Sequence, residues 1–361
     1  VRRYFFVTTG DLSRNASFVR LRELGRELAI LGLDVHYVVD PTEFNRELAA
    51  SLPYATAHVL KASNRLAQIR ERRRCVWKVA PDIVHILNPQ PSNCAAILAW
   101  RGAVVVDFDE LLSQRFGSAP RRAISSLCEF YGKRRATVLV VASRHQERYF
   151  RDHGRADAVY LPYACYLPVL PDGPNPYSVP TAVYLGNFHP DFDHDLIVDA
   201  WRVLREQGVP PNLELIGSGV DLDKVRHKIA DGCLSNCISL PGYMTGQALW
   251  DRLRHSHVLL FPIRDTVGNR MRCPSKTFAY MQAGRPIITN RVGEVAEALG
   301  DKAIYVEPTA AGFADAVNEA FKAPPQTVDY NLDAHSWAAR AQILLDAVAR
   351  HSRAQSGNSA A

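Results

Sequence analysis

The sequence predicts an α/β fold divided into two largely parallel sheets, and three observations lead there. Short apolar runs of strand length alternate with longer stretches of helical periodicity, the order that builds parallel sheets. The alternation breaks once, at PVLPDGPNPYSVP (168–180), where five prolines in thirteen residues exclude both helix and central strand. At 361 residues and 47% hydrophobic content the chain also exceeds the roughly 250 residues that one core usually serves.

The elements follow in order. Residues 4–9, YFFVTT, read as a buried strand, followed by Gly10 and a loop. Residues 18–31 space their apolar side chains near 3.6, and 35–39 give a second strand, completing a βαβ unit. Further strands are expected at 83–87, 104–107 and 138–142, with helical patterns near 60–78, 92–100 and 119–134. Past the prolines the pattern restarts, with strands at 182–185, 213–216, 238–240 and 258–262 and another at Ile287. Helices are expected there at 196–206, 222–229, 246–255, from Lys276, and near 313–322. The amphipathic stretch 336–350 places Trp337, Ala341, Ile343, Leu344 and Val348 on or near one face. The expected division is a first domain at 1–167, a linker at 168–180, a second domain at 181–335, a final helix at 336–352 and a disordered tail at 353–361.

Composition narrows the function classes. Seven scattered cysteines without a CxxC pair indicate neither a disulfide framework nor a zinc site, which fits a reducing cytosol. The longest apolar runs, 103–106 and 138–142, fall far short of the roughly 20 residues that cross a bilayer. No basic-then-apolar leader precedes Tyr4, so a soluble or peripheral protein is expected. The net charge of +6 is uneven: residues 1–165 hold 25 Lys+Arg against 16 Asp+Glu, and the remainder 18 against 21. The basic residues cluster at 61–78 and 115–155, interleaved with Trp77, Phe116, Phe130, Tyr131 and Tyr149. Such clusters face an anionic lipid surface or another polyanion, or are simply solvated helix faces. No motif supports a nucleic-acid partner.

Several segments together carry a resemblance. LGN (185–187), NLELIGSG (212–219), ISLPGYM (238–244), HSHVLLFP (255–262), CPSKTFAYMQAGRPIITNRVGE (273–294) and HSWAARAQILLDAV (335–348) resemble the donor domain of GT-B glycosyltransferases, most closely family 4. The first half is similar through its opening βαβ unit, PDIVHILNP (81–89), VVVDFDE (104–110) and VLVVASRHQERYF (138–150). Nearly the whole chain is covered. The resemblance implies two Rossmann-like domains facing across a cleft, the first holding the acceptor and the second a nucleotide-diphosphate sugar, with the last helix crossing back to the first domain. It implies a metal-independent, hexosyltransferase-type enzyme that needs no cofactor beyond its sugar-nucleotide substrate. The acceptor would be a hydroxyl of a glycan, glycolipid or natural product, as in polysaccharide biosynthesis. The setting implied is cytoplasmic, or peripheral on the inner face of the membrane.

Residue by residue, Lys276 is placed to meet the donor diphosphate, because Pro274-Ser275 ahead of it marks a helix start, where a cation and helix amides together favour an anion. Arg264, Arg270 and Arg272, with Gly268 allowing a turn, suggest a phosphate clamp or a lid. Gly186, Asn187, Gly217, Gly219 and Tyr243 are candidates for base and ribose, Ser275 for phosphate and Glu294 for a sugar or ribose hydroxyl, although turn formation and helix capping explain the glycines and Glu294 about as well. On the acceptor side stand Gly10, Asp11, Asn15 and Ser17 after the first strand, with Asp107 and Glu110. Asp109 is the expected base toward the acceptor hydroxyl, helix capping being its plain alternative. His85 reads as a satisfied core or cleft-edge histidine.

Two features depart from the family pattern. The Glu-x7-Glu pair is replaced by Met271 and Ala279, and no Arg/Lys pair follows the first donor strand in GNFHPDFDHD (186–195). The phosphate charge then falls to the 264–272 arginines and Lys276. Two other readings stay open at this stage: a catalytically degenerate sugar-nucleotide-binding partner protein, and a GT-B pseudo-glycosyltransferase or epimerase.

Overall fold

A computed structural model of the chain describes residues 2–10, 16–115, 118–166, 169–190, 192–208 and 210–358. It divides into two units: Val1–Ala164 with Met271–Cys273 and Ser336–Ala361, and Cys165–Arg270 with Pro274–His335. The first unit runs β1 (Arg3–Val7), α1 (Ala16–Ile30), β2 (Asp34–Val39), α2 (Glu43–Ala50), β3 (Ala55–Val59), α3 (Arg65–Val79), β4 (Ile83–Leu87), α4 (Pro91–Ala96), β5 (Ala103–Phe108), α5 (Leu112–Arg115), α6 (Ala119–Arg135), β6 (Val138–Val141), α7 (Arg144–Asp152) and β7 (Val159–Tyr160). The second runs β8 (Thr181–Asn187), α8 (His194–Glu206), β9 (Asn212–Ser218), α9 (Leu222–Asp231), β10 (Ile238–Gly242), α10 (Gly246–His255), β11 (Val258–Phe261), α11 (Val267–Met271), α12 (Lys276–Ala283), β12 (Ile287–Thr289), α13 (Gly293–Leu299), β13 (Ile304–Tyr305) and α14 (Ala310–Phe321). The long helix α15 (Trp337–Asn358) returns to the first unit, where it packs against α1.

All strand pairs are parallel, in the orders β3-β2-β1-β4-β5-β6-β7 and β10-β9-β8-β11-β12-β13. Each sheet starts in its middle, steps to one edge, then returns to the far side of its first strand. That reversal leaves a crevice at the carboxyl ends, between β1 and β4 and between β8 and β11. Strands buried on both faces explain the unbroken apolar runs, such as Tyr4–Val7 and all of β4. Helix starts carry local signals: Thr42, Asn64, Ser143 and Thr309 each accept an amide hydrogen from the first turn of α2, α3, α7 and α14.

Some expectations change. The proline stretch is not a free linker: Gly173 donates its amide to Asp251, Arg254 donates to the Leu170 carbonyl, and the Tyr177 hydroxyl donates to Glu214, so these residues belong to the second unit. Proline-rich chain lacks internal hydrogen bonds, and here side chains of α10 and β9 supply them. The expected tail is helical as far as Asn358, since Arg353, Ala354 and Gln355 are good helix formers; residues 359–361 lie outside the described ones. On α15, Trp337, Ala341, Leu344 and Val348 are buried as expected, whereas Ile343 points outward. The strand β3 goes unsignalled because it is a half-exposed edge, and β7 and β13 because they are two residues each.

One buried polar group pins the first unit. Arg20 of α1 donates to both oxygens of Asp107 (2.7 and 3.2 Å) and to the Leu161 carbonyl (2.6 Å), with Arg20 and Asp107 both 0% exposed. His85 lies 3.4 Å from the same carboxylate and shares a 2.8 Å hydrogen bond with the Tyr4 hydroxyl. Burial alone would raise the Asp107 carboxyl, but Arg20 and His85 outweigh it and hold it below the usual range. Burial pushes the His85 imidazole down against the pull of Asp107, which favours its neutral form in the folded chain.

Two outcomes are expected in urea unfolding. Arg20→Met leaves Asp107 as an uncompensated buried charge and should cost about 3–5 kcal/mol. For His85 the sign is acid-destabilising: well above about pH 6.5 neither state binds the proton, and as pH falls through that value the unfolded chain binds it ahead of the folded one. Stability should therefore fall between pH 7.5 and 5.5, by up to about 1.4 kcal/mol per pH unit for this one group. His58 and His194 are also shifted down and add to the slope. His85→Gln should flatten the dependence, and an unchanged slope would contradict the assignment.

Candidate active site

In the second unit the reversal point lies between β8 and β11, and Lys276 occupies it. Its Nζ donates to the Leu185 carbonyl of β8 (3.2 Å) and lies 4.5 Å from the Tyr184 ring centroid and 4.0 Å from that of Phe261, the last residue of β11. Two aromatic faces and a carbonyl thus hold an ammonium at the carboxyl ends of both strands. Ser275 takes the cap position of α12 but makes no side-chain cap bond. The amides of Thr277 and Phe278 turn back onto the Pro274 and Ser275 carbonyls (3.0 and 3.1 Å). The attraction for an anion at this helix start therefore comes from the Lys276 charge more than from those two amides.

Two of the three arginines are paired with aspartates of the second unit. Arg264 ties the loop after β11 to the loop after β8, its amide donating to Asp193 (2.7 Å) and its guanidinium pairing with the same carboxylate. Arg270 binds both oxygens of Asp265 (2.5 and 2.6 Å). Arg272 belongs to Met271–Cys273, which is part of the first unit. Two of the three charges are thus already offset by aspartates, and sequence spacing gave no signal for the Asp193 pairing, 71 residues away.

The glycines serve the backbone. Gly186 sits opposite Gly217 in the β8–β9 register. A Cβ on Gly217 would lie 1.8 Å from the Gly186 oxygen, and one on Gly219 would lie 2.1 Å from the Phe188 oxygen. With φ of +142° and +157°, both positions require glycine so that the two strand ends can close on each other. That close approach is between the ends of neighbouring strands. Gly293 likewise has φ +49°, and its Cβ would meet the Arg270 Cα at 2.8 Å. Glu294 is buried in the first turn of α13, where a carboxylate complements the helix dipole. Asn187 and Tyr243 are exposed, at the ends of β8 and just past β10. Asn290 was not foreseen: its Oδ1 accepts from the Ile263 amide (3.0 Å) and its Nδ2 donates to the Val306 carbonyl (2.7 Å), fixing the chain leaving β11. An asparagine after a strand reads as turn chemistry, which hides this role.

Met271 and Ala279, standing where the family pattern has carboxylates, have local explanations. Met271 is packed in the core of the first unit, where an ionised side chain would be costly, and Ala279 lies half-buried in α12.

On the first unit, Thr9 and Gln90 meet at 3.4 Å, joining the loops after β1 and β4. Gly10, at φ +89°, is bound through its backbone: its amide donates to Asp40 (2.7 Å) and its carbonyl accepts from Asn45 (3.1 Å). Asp11 and Asn15 lie outside the described residues, and Ser17 falls in the first turn of α1. Asp107 is corrected from acceptor ligand to buried counter-ion of Arg20, at 0% exposure. Asp109 is 4% exposed and accepts from the Tyr163 hydroxyl (3.3 Å). Glu110 donates its amide to Asn88 Oδ1 (3.1 Å). Asn88, with φ +48°, is a second residue missed by sequence reasoning, although its Asn-Pro dipeptide was a turn signal. His85 is a core residue, 0% exposed.

Comparison with known proteins completes the picture. Residues 179–323 match the family model described as Glycosyl transferases group 1. That match lies within the second unit, apart from Met271–Cys273, and covers less than half of the chain. Over the whole chain the fold is GT-B, as in three solved structures. Sucrose-phosphate synthase from Thermosynechococcus elongatus aligns at TM-score 0.73 and 14% identity, covering 100% of both chains. Anabaena HepE in complex with UDP-glucose aligns at 0.72 and 12%, covering 98% of this chain and 99% of that one. Staphylococcus aureus TarM, in complex with Fondaparinux, alpha-GlcNAc-glycerol and UDP, aligns at 0.68 and 8%, covering 96% and 99%. No curated protein matches the sequence significantly.

The glycines of the second unit offer a direct test. Gly217→Ala should destabilise it by about 1–3 kcal/mol, because the new methyl meets backbone at a φ that disfavours alanine. Gly268→Ala, whose Cβ would find nothing nearer than 4.0 Å, should be neutral or slightly stabilising in the same urea titration.

Proposed function

We propose that the chain transfers a sugar from a nucleotide-diphosphate donor, held on the second unit, to a hydroxyl of an acceptor held on the first unit. The observation that carries this reading is Lys276, an ammonium fixed across the reversal point of a parallel sheet. As the bond from the anomeric carbon to the leaving phosphate oxygen breaks, negative charge grows on the diphosphate, and a preorganised cation stabilises it. Tyr243 follows β10, two strands from β8, or roughly 10 Å along the sheet edge at normal strand spacing. A nucleoside diphosphate can bridge that span, with its base stacked on Tyr243 and its phosphates at Lys276, and Arg264 beside them. The structures of HepE with UDP-glucose and of TarM with UDP support a donor of this class.

On the other unit Asp109 is the proposed base toward the acceptor hydroxyl if the reaction inverts; if it retains, the donor phosphate takes that proton and Asp109 orients the acceptor. The Tyr163 hydroxyl donates to Asp109 and orients its carboxylate. We also read the reaction as metal-independent, hexosyl-transferring and cytoplasmic, with a glycan or lipid-linked acceptor at the inner face of a membrane. The basic first half supports a membrane-side setting, and among the described residues no helix is long and apolar enough to cross a membrane.

Calorimetric titration with UDP-, GDP-, ADP- and dTDP-sugars tests the donor site. One or more should bind selectively, and Lys276→Ala should weaken that binding at least about tenfold, as expected for a lost charge-assisted contact. Binding unaffected by Lys276→Ala would remove the role given to it, and binding by none of the four would count against the function.

A further inference from the structure

The two basic clusters of the first unit, separate in sequence, form one face. The crossovers β3 to β4, β4 to β5 and β5 to β6 all step in the same direction across the sheet, so their helices share one side of it. Accordingly α3 packs on α4, and α4 on α6. Six large apolar side chains of this layer stand in solvent: Leu66 and Trp77 of α3, Leu98 after α4, and Ile124, Leu127 and Phe130 of α6, with exposures from 46% for Trp77 to 71% for Leu66. On α6 they recur every third residue, forming a stripe along one face of the helix. A patch of this kind on a folded unit marks an interaction surface.

Charge identifies the partner. Arg70, Arg74 and Lys78 of α3 and Arg121 and Arg134 of α6 are exposed on the same helices as the apolar residues, and the Arg134 guanidinium lies 5.7 Å from the Phe130 ring centroid. The acids of these three helices are Glu71 and Glu129, and both turn inward: Glu71 accepts from the amides of Lys61 and Ala62, Glu129 from the amide and hydroxyl of Ser113. The face is therefore cationic and apolar at once. Phosphates of a nucleic acid would satisfy the arginines and leave Ile124 and Leu127 without a role. A bilayer with anionic headgroups satisfies both.

We propose that the α3–α4–α6 face of the first unit docks on an anionic lipid surface, its cations among the headgroups and Ile124, Leu127 and Phe130 at the headgroup–acyl boundary. The proposal deepens the membrane-side part of the function above and rests on it only for its choice of partner. In co-sedimentation of the full chain, vesicles of phosphatidylcholine with about 30% phosphatidylglycerol should bind at least about tenfold more protein than phosphatidylcholine alone, and salt should weaken the binding. Leu127→Glu with Phe130→Glu should lose about tenfold, and Arg70→Glu with Arg74→Glu on α3 should also lose, because the helices act as one surface. Val220→Glu, exposed on the second unit, should bind like wild type. Urea midpoints confirm that each variant is folded. Equal binding to neutral vesicles, an unaffected α6 variant, or binding to single-stranded RNA with none to vesicles would each overturn the proposal. Sugar-nucleotide titration of the same samples separates the two ideas: donor binding without vesicle binding removes only the docking, and the reverse removes only the transfer reaction.

Discussion

Parallel pairing constrains everything else here. When every strand of a sheet points the same way, every strand-to-helix exit falls on one edge, and chemistry that needs loops and helix starts can gather only there. Because each sheet begins in its middle and reverses, that edge is split where two neighbouring exits diverge. Lys276 spans the split in the second unit, and the Thr9–Gln90 contact marks the equivalent point in the first. The glycines of β8 and β9 belong to the same logic, closing strand ends that side chains would hold apart.

Cations around the donor edge are unequal. Arg264 and Arg270 each face an aspartate, and what they add to an anion's binding is reduced by that pairing. Lys276 meets aromatic faces and a backbone carbonyl, which set its ammonium at the carboxyl ends of β8 and β11. This position, rather than the number of basic residues in the segment, singles out Lys276.

Much of the architecture was legible in the sequence, because a buried parallel strand must be a short apolar run and a covering helix must repeat near 3.6. The helix start at Lys276 was legible as well, because Pro274-Ser275 ahead of it is a local signal. What was not legible depends on partners distant in the chain. Asp107 looked like a ligand after a strand until Arg20, 87 residues away, took both its oxygens. The pairing of Asp193 with Arg264 and the bracing by Asn290 and Asn88 are hidden in the same way. Gly217 and Gly219 were read as donor contacts, and no sequence pattern signalled the Gly186 and Phe188 carbonyls that lie against them.

The division of the chain into its units has a practical consequence for dissecting them. The boundary is crossed at Ala164–Cys165, at Arg270–Met271, at Cys273–Pro274 and at His335–Ser336. No single cut can therefore yield two complete halves. A fragment beginning at Cys165 would carry Met271, Trp337 and Leu344 without the core that buries them, while one ending at Ala164 would lack the helix that covers α1. Genetic dissection of this protein calls for grafting Ser336 onward behind the first unit through a designed joint, not for simple truncation.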